Sequence, residues 1–187
     1  MIENPSLAKA KAYLDDKQFD QAIGIYQNLL SEGSHGAAEA AYNLGIIYQA
    51  GSGVRSDKSE AKKYYTISED LGYPMATYRI ASMHFANGEA EMALACFKKI
   101  ADQNPSAAYW VFRILKDHAT ETEKNSARTY LYLADKLGHV LAKRIIAMEN
   151  IKGRNGILNI PAGIIMYFST VKKMIEVVRD NDKIKYT

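Results

Sequence analysis

The side chains with the clearest capacity for chemistry are aromatic and cationic residues that recur at similar intervals. Three such pairs begin 36 and then 34 residues apart, and a lysine follows the last pair: Tyr42-Asn43, Tyr78-Arg79, Phe112-Arg113 and Lys116. Aromatic rings bury area against a partner, while an Arg guanidinium donates paired hydrogen bonds to a carboxylate or a backbone carbonyl. These residue types favour noncovalent recognition of a peptide or a helix.

Residue types that catalyse reactions or bind metals form no recognisable pattern. The histidines are far apart, and no pair has the i, i+4 spacing of a helical metal site: His35, His84, His118 and His139. No serine lies in a Gly-x-Ser-x-Gly elbow. Cys96 lies within a predicted helix, where a small core residue is expected. We therefore predict a protein that is not an enzyme and that uses no metal and no cofactor.

Composition indicates a globular chain with an uneven distribution of charge. Of 187 residues, 48% are hydrophobic and 24% are charged, which is ordinary for a chain with a core. A net charge of +3 is too small to indicate nucleic acid as a partner, although ten basic residues against four acids follow from Lys136 onward. We expect a cytoplasmic location, because the first residues do not resemble a secretory signal and no window predicts a transmembrane helix.

Small and bulky residues recur with a period that predicts stacked helix pairs. Ala76, Ala108 and Ala142 lie 32 and 34 residues apart. In the second helix of each unit, a small residue precedes a bulky one by four positions: Ala22 and Tyr26, Ala61 and Tyr65, Ala93 and Phe97, Ala127 and Leu131. The small residue lets neighbouring helices approach, and the bulky one fills the adjoining space. This period is typical of helix–turn–helix repeats that bury a core by stacking.

Periodicity and turn signals together predict the bounds of ten helices. The predicted ranges are 5–15, 19–32, 37–50, 57–71, 74–87, 89–103, 106–118, 122–137, about 139–152 and about 161–180. Gly33, Gly72 and Gly138 are expected just past the ends of second helices. Asp57 is predicted to cap a helix, with Glu60 closing a capping box.

A motif with specific spacing runs through the second unit. It reads Leu44-Gly45-x-x-Tyr48, then Gly51-x-Gly53-Val54-x-x-Asp57, and then Ala61 and Tyr65. This motif resembles the Sel-one-like repeat of the tetratricopeptide-repeat superfamily, and the first and third units resemble ordinary tetratricopeptide units. The glycines of the motif lack the Lys-Ser/Thr ending of a phosphate loop, so a tight turn between helices is expected instead.

The resemblance covers about residues 5–150. It implies an all-α fold, a right-handed superhelix (solenoid) of about four helix–turn–helix repeats plus C-terminal helices. It also implies an adaptor or scaffold role in protein complexes. We assign residues 1–152 to the repeat solenoid and residues 153–187 to a C-terminal amphipathic helix and basic tail.

In this superfamily the first helix of each unit lines a concave surface, and the resemblance places the recurring aromatic and cationic residues there. We predict that they bind a protein or peptide partner: Tyr42, Asn43, Tyr78, Arg79, Phe112, Arg113 and Lys116. The alternative is that the rings pack between repeats and the arginines are solvated, and the sequence leaves both interpretations open. It predicts no nucleic acid partner and leaves the oligomeric state undetermined.

The tail carries an apolar stripe on a predicted helix that begins at Pro161. The stripe follows steps of four and three residues: Ile164, Phe168, Val171, Ile175 and Val178. Three interpretations remain open. The helix packs on the last repeat, it contacts a membrane surface through residues 157–179 with its basic flanks, or it associates with another helix.

Overall fold

The computed structural model describes residues 4–117, 121–154 and 159–184, excluding the side chains at 117, 121–124 and 174–184. Secondary structure in these ranges is helical, without strands. The helices are α1 Pro5–Asp15, α2 Phe19–Ser31, α3 Ala37–Ala50, α4 Lys58–Asp70, α5 Pro74–Ala86, α6 Ala90–Ile100, α7 Pro105–Asp117, α8 Glu121–Lys136, α9 Val140–Ile151 and α10 Ile160–Ile184. The predicted helices are confirmed, with ends that differ by about one turn or less.

The chain forms two compact units, Met1–Cys96 and Phe97–Thr187, and the division falls inside α6. In the first unit, α1 packs on α2, α2 on α3, α3 on α4 and α4 on α5. In the second unit, α7 packs on α8, α8 on α9 and α9 on α10. Within each unit these helices therefore pack on their neighbours in chain order, as expected for repeats that share a core. The assignment of residues 153–187 to a separate tail stays a prediction.

The small and bulky residues that define the period are core residues. The alanines and their bulky partners at i+4 are at most 2% exposed in all four predicted repeats. In the first unit, Tyr26 and Tyr65 each lie in an apolar cluster, and burial raises the pKa of both phenols to about 12. The Tyr65 hydroxyl donates to Gln49 Oε1 at 2.7 Å. The repeat period thus arises from packing.

The start of α4 confirms one half of the predicted capping box. The Asp57 carboxylate accepts hydrogen bonds from the backbone N–H groups of Ser59 at 2.8 Å and Glu60 at 3.1 Å. The other half is wrong, because the Asp57 backbone N–H donates to the Tyr48 carbonyl at 2.8 Å and has no proton left for Glu60. The Glu60 carboxylate instead lies 3.3 Å from the Lys63 ammonium.

The turn between α3 and α4 requires glycine for two separate reasons. Gly51 and Gly53 have φ values of 75° and 73°, in the left-handed region where a side chain is strained. A Cβ at Gly53 would also lie 2.2 Å from the Phe19 Cβ at the start of α2. The predicted tight turn is confirmed, and this turn also packs on α2. Gly33, Gly72 and Gly138 likewise have positive φ just past helix ends, as predicted.

Helix α10 packs on α9, and the first two residues of the predicted apolar stripe stay exposed while the third, Val171, is half-buried. Gly163 and Thr170 are buried, and a Cβ at Gly163 would lie 2.8 Å from the Ala147 carbonyl oxygen. The stripe residues Ile164 and Phe168 are 43% and 66% exposed. The small side of α10 faces α9 because it permits the closest approach between the two backbones. The side chains of Ile175 and Val178 lie outside the described residues.

Among the described residues, we find no helix that is both long enough and apolar enough to span a bilayer.

Candidate protein-binding site

The first unit contains four of the predicted binding residues, and one of its two aromatic residues is packed inside. Tyr42, on α3, is 9% exposed. Its ring centroid lies 5.8 Å from that of Tyr65 and 5.1 Å from that of Tyr73. The expectation that the Tyr42 ring lines an open surface is therefore corrected, because rings from α4 and from the turn before α5 cover it.

Arg79 is held against this ring cluster. Its Nε donates to the Tyr42 hydroxyl at 3.3 Å, and its guanidinium lies 6.0 Å from the Tyr42 ring centroid. Arg79, Tyr78 and Asn43 are all half-buried. The Asn43 Nδ2 is buried, and no hydrogen-bond acceptor for it lies among the described residues. In this unit the structure brings Tyr42 and Arg79 together, and their contacts with each other lie within the chain.

The second unit contains the other three predicted residues, and two of them are exposed. Phe112 is 7% exposed, so the expected open ring is corrected here as well. The exposed Arg113 guanidinium lies 5.0 Å from the Trp110 ring centroid, and the exposed Lys116 ammonium lies 6.0 Å from the Phe112 ring centroid. The cations on α7 are thus accessible to a partner, whereas the Phe112 ring is almost fully buried.

Helices α7, α8 and α9 border an open cavity of about 340 Å³ in the second unit. Its lining combines apolar side chains with charged ones: Phe112, Ala127, Ile145 and Met148, with Lys116, Arg128, Glu149, Lys152 and Arg154. Phe112 and Lys116 were predicted from the repeat register. The residues of α8 and α9 were missed, because they lie outside the aligned positions. The excess of basic residues after Lys136 was the sequence signal that pointed to this end of the chain.

The end of α9 places two of these cations. The Gly153 N–H donates to the Asn150 carbonyl at 2.9 Å, and the Arg154 N–H donates to the Glu149 carbonyl at 3.0 Å. This pair of bonds is a Schellman motif, with Gly153 at φ 70°. The chain therefore reverses directly after the helix, and Lys152 and Arg154 both lie at the cavity.

Two of the described histidines, His84 and His139, have structural contacts. His84 Nδ1 is paired with the Glu89 carboxylate. His139 Nδ1 accepts from the Ala142 N–H at 3.3 Å, and its ring stacks on Tyr109 with centroids 4.3 Å apart. Burial lowers the pKa of His139, which keeps the neutral ring that this cap requires. His118 lies outside the described residues. In the part of the chain that is described, no three His, Cys, Asp or Glu side chains come together as metal ligands.

Comparison with known proteins identifies the repeats. The Sel1 repeat family matches residues 38–73 and 74–105, so the third repeat, which was predicted to resemble an ordinary tetratricopeptide unit, is corrected to a Sel1 match. The structure is similar to that of a Sel1 repeat protein from Oxalobacter formigenes, with a TM-score of 0.74 and 18% identity over 89% of this chain and 69% of that chain. It is also similar to c5321, a protective antigen of uropathogenic Escherichia coli strains with an SLR fold.

For the second structure the TM-score is 0.67 and the identity 19%, over 81% of this chain and 34% of that chain. The present chain therefore spans about a third of that antigen. No curated protein matches this sequence significantly. The comparisons confirm the predicted all-α repeat fold.

Proposed function

Because residues 38–105 form two Sel1 repeats, we propose that this chain is a non-catalytic adaptor or scaffold that binds a segment of another protein. Sel1 repeat proteins are generally protein-interaction scaffolds. The observation that carries the proposal is the pair of accessible cations on α7, Arg113 and Lys116, next to the largely buried Phe112 ring. Charged donors beside apolar surface bind peptide segments by hydrogen bonds and buried area together.

Removing these two charges is expected to reduce partner capture. We predict that Arg113→Gln with Lys116→Gln lowers the amount of co-purified partner by about tenfold or more, since an arginine at an interface centre contributes about 2 kcal/mol or more. Affinity capture followed by quantitative mass spectrometry measures this. Both side chains are exposed, so the circular dichroism spectrum is expected to stay unchanged.

The matched control is Lys58→Gln with Lys62→Gln, which removes the same charge from two exposed positions on α4. Capture by this control is expected to equal that of the wild type. Equal capture by all three proteins would contradict the adaptor proposal for this surface.

A second candidate function is membrane association through α10, and one observation favours it. Ile164, Ile165 and Phe168 are 43%, 72% and 66% exposed, and Lys172 and Lys173 follow on the same helix, also exposed. We call Ile164, Ile165 and Phe168 the α10 ridge. An apolar ridge beside lysines suits the interface of an anionic bilayer.

Polar substitutions on the α10 ridge test this second function. Full-length protein is expected to co-sediment with phosphatidylserine vesicles, and Ile165→Ser with Phe168→Ser is expected to reduce the bound fraction about tenfold or more, because the apolar contact is lost. Phosphatidylcholine vesicles serve as the charge control. Absence of binding to both vesicle types would exclude the membrane function, and a dimer in vesicle-free sedimentation would assign the ridge to self-association instead.

A further inference from the structure

We propose that the cavity bordered by α7, α8 and α9 binds an acidic segment of a protein chain, with an apolar side chain of that segment on its floor. This inference rests on the proposed adaptor function and names the chemistry of the partner. Three features of the cavity support this inference: its apolar floor, its basic rim, and the buried Glu149 Oε2, which has no hydrogen-bond donor among the described residues.

The apolar floor sets the size of what can bind. Phe112, Ala127, Ile145 and Met148 line a space of about 340 Å³, which is at the small end of the roughly 300–1,000 Å³ typical of ligand pockets. Such a space accommodates one or two side chains of a peptide. Met148 is 40% exposed and flexible, so it can adapt to the shape of an incoming side chain.

The rim selects for negative charge. Among the described lining residues, four are cations and one is an acid. Arg128 Nη2 lies 3.6 Å from Glu149 Oε2, so this acid offsets one of the four. Lys116, Lys152 and Arg154 are exposed at the same cavity, and their charges favour carboxylates placed at its mouth.

Glu149 favours a peptide over a phosphate group. Its Oε2 is buried, and among the described residues no donor lies within hydrogen-bond distance of it. An extended peptide carries backbone N–H groups that can donate to this oxygen when Arg128 turns toward a carboxylate of the ligand. A phosphate group carries no apolar side chain and would leave the apolar floor uncovered.

A designed probe tests the inference directly. The probe is a fluorescein-labelled peptide of the sequence Glu-Leu-Glu-Glu-Leu-Glu, and its binding to full-length protein is followed by fluorescence anisotropy and by amide NMR shifts. We expect saturable binding that weakens with salt, with shifts at Phe112, Lys116, Glu149 and Lys152. The variant Lys152→Glu with Arg154→Glu is expected to bind about tenfold or more weakly, because two attractive charges become repulsive.

Three controls make the outcome decisive. The variant Lys58→Glu with Lys62→Glu changes the net charge equally on α4 and is expected to bind the probe as the wild type does. A probe with Lys in place of Glu tests charge, and inorganic phosphate tests whether an anion suffices. Equal binding by the Lys152/Arg154 variant, equal binding of the basic probe, or the same amide shifts with phosphate would each overturn the inference.

Failure of this inference is distinguishable from failure of the adaptor function. If the acidic probe does not bind, while protein capture is still lost in the Arg113/Lys116 variant, the acidic-segment inference is overturned and the adaptor proposal stands. If neither probe nor protein partner is captured, both are overturned.

Discussion

Replacing Tyr65 with Ala is expected to lower the free energy of unfolding by about 3–5 kcal/mol, as for other large aromatic residues truncated in a core. Tyr65 is fully buried in the first unit, among Tyr42, Ala61, Ala76 and Ile80. Its ring packs so closely on α3 that a Cβ at Gly45 would lie 2.5 Å from the Tyr65 Cε1. The surrounding helices cannot fill the cavity that truncation would leave. Urea titration followed by circular dichroism measures the change.

One control variant separates the contribution of the Tyr65 ring from that of its hydroxyl, and a second removes an exposed tyrosine for comparison. Tyr65→Phe keeps the ring and removes the 2.7 Å hydrogen bond to Gln49, which is exposed and can accept from water, so a loss of about 0.5–1.5 kcal/mol is expected. Tyr132, which is 44% exposed, is expected to change stability by about 0.5 kcal/mol or less when replaced by Ala. If Tyr65→Ala costs no more than Tyr132→Ala, the described core of the first unit is wrong.

Replacing Gly163 with Leu is expected to detach α10 from α9. A Cβ at this position would lie 2.7 Å from the Asn150 Cβ, 2.8 Å from the Ala147 carbonyl oxygen and 2.9 Å from the Ile151 nitrogen. Two of these atoms are backbone atoms that cannot rotate away, so the helices must separate. Overpacking costs roughly 1–3 kcal/mol or more, which outweighs the gain of about 1 kcal/mol from removing a helical glycine.

Hydrogen exchange of the segment 160–173 measures this detachment. A loss of about 1.4 kcal/mol corresponds to tenfold faster exchange, so acceleration of about tenfold or more is expected for Gly163→Leu. The matched control is Ala162→Leu, one position earlier on the exposed side of the same helix, where exchange is expected to stay unchanged. Equal exchange in the two variants would contradict the close approach of α9 and α10.

Features that depend on local sequence were predicted well. The ends of α1 and α3 match the predictions residue for residue, because glycines, prolines and apolar spacing act within a few positions. The capping box was half wrong because one of its two predicted hydrogen bonds depends on a residue outside the local segment. Whether Glu60 can accept from Asp57 depends on the Tyr48 carbonyl, nine residues before Asp57, which takes the same N–H.

For the binding residues, the sequence predicted which positions are equivalent between repeats but not how exposed their side chains are. Repeat register aligned Tyr42 with Phe112, and both rings are covered by neighbouring side chains, at 9% and 7% exposure. The register specifies the helix face on which a residue lies. It does not specify how deeply adjacent helices cover that face, because that depends on side chains more than twenty residues away, such as Tyr65 and Tyr73 for Tyr42.

The amino-acid sequence by itself determined that this protein is built from helix pairs, where each helix lies to within about one turn, and that the recurring alanines and their bulky partners at i+4 form the core. These properties follow from periodicity and turn chemistry, which act over short stretches of chain. Only the tertiary structure decided which side of α10 faces α9, and that α7, α8 and α9 border an open basic cavity. An amphipathic stripe predicts a buried side, but here the closest approach of two backbones at Gly163 outweighs the apolar area of Ile164 and Phe168.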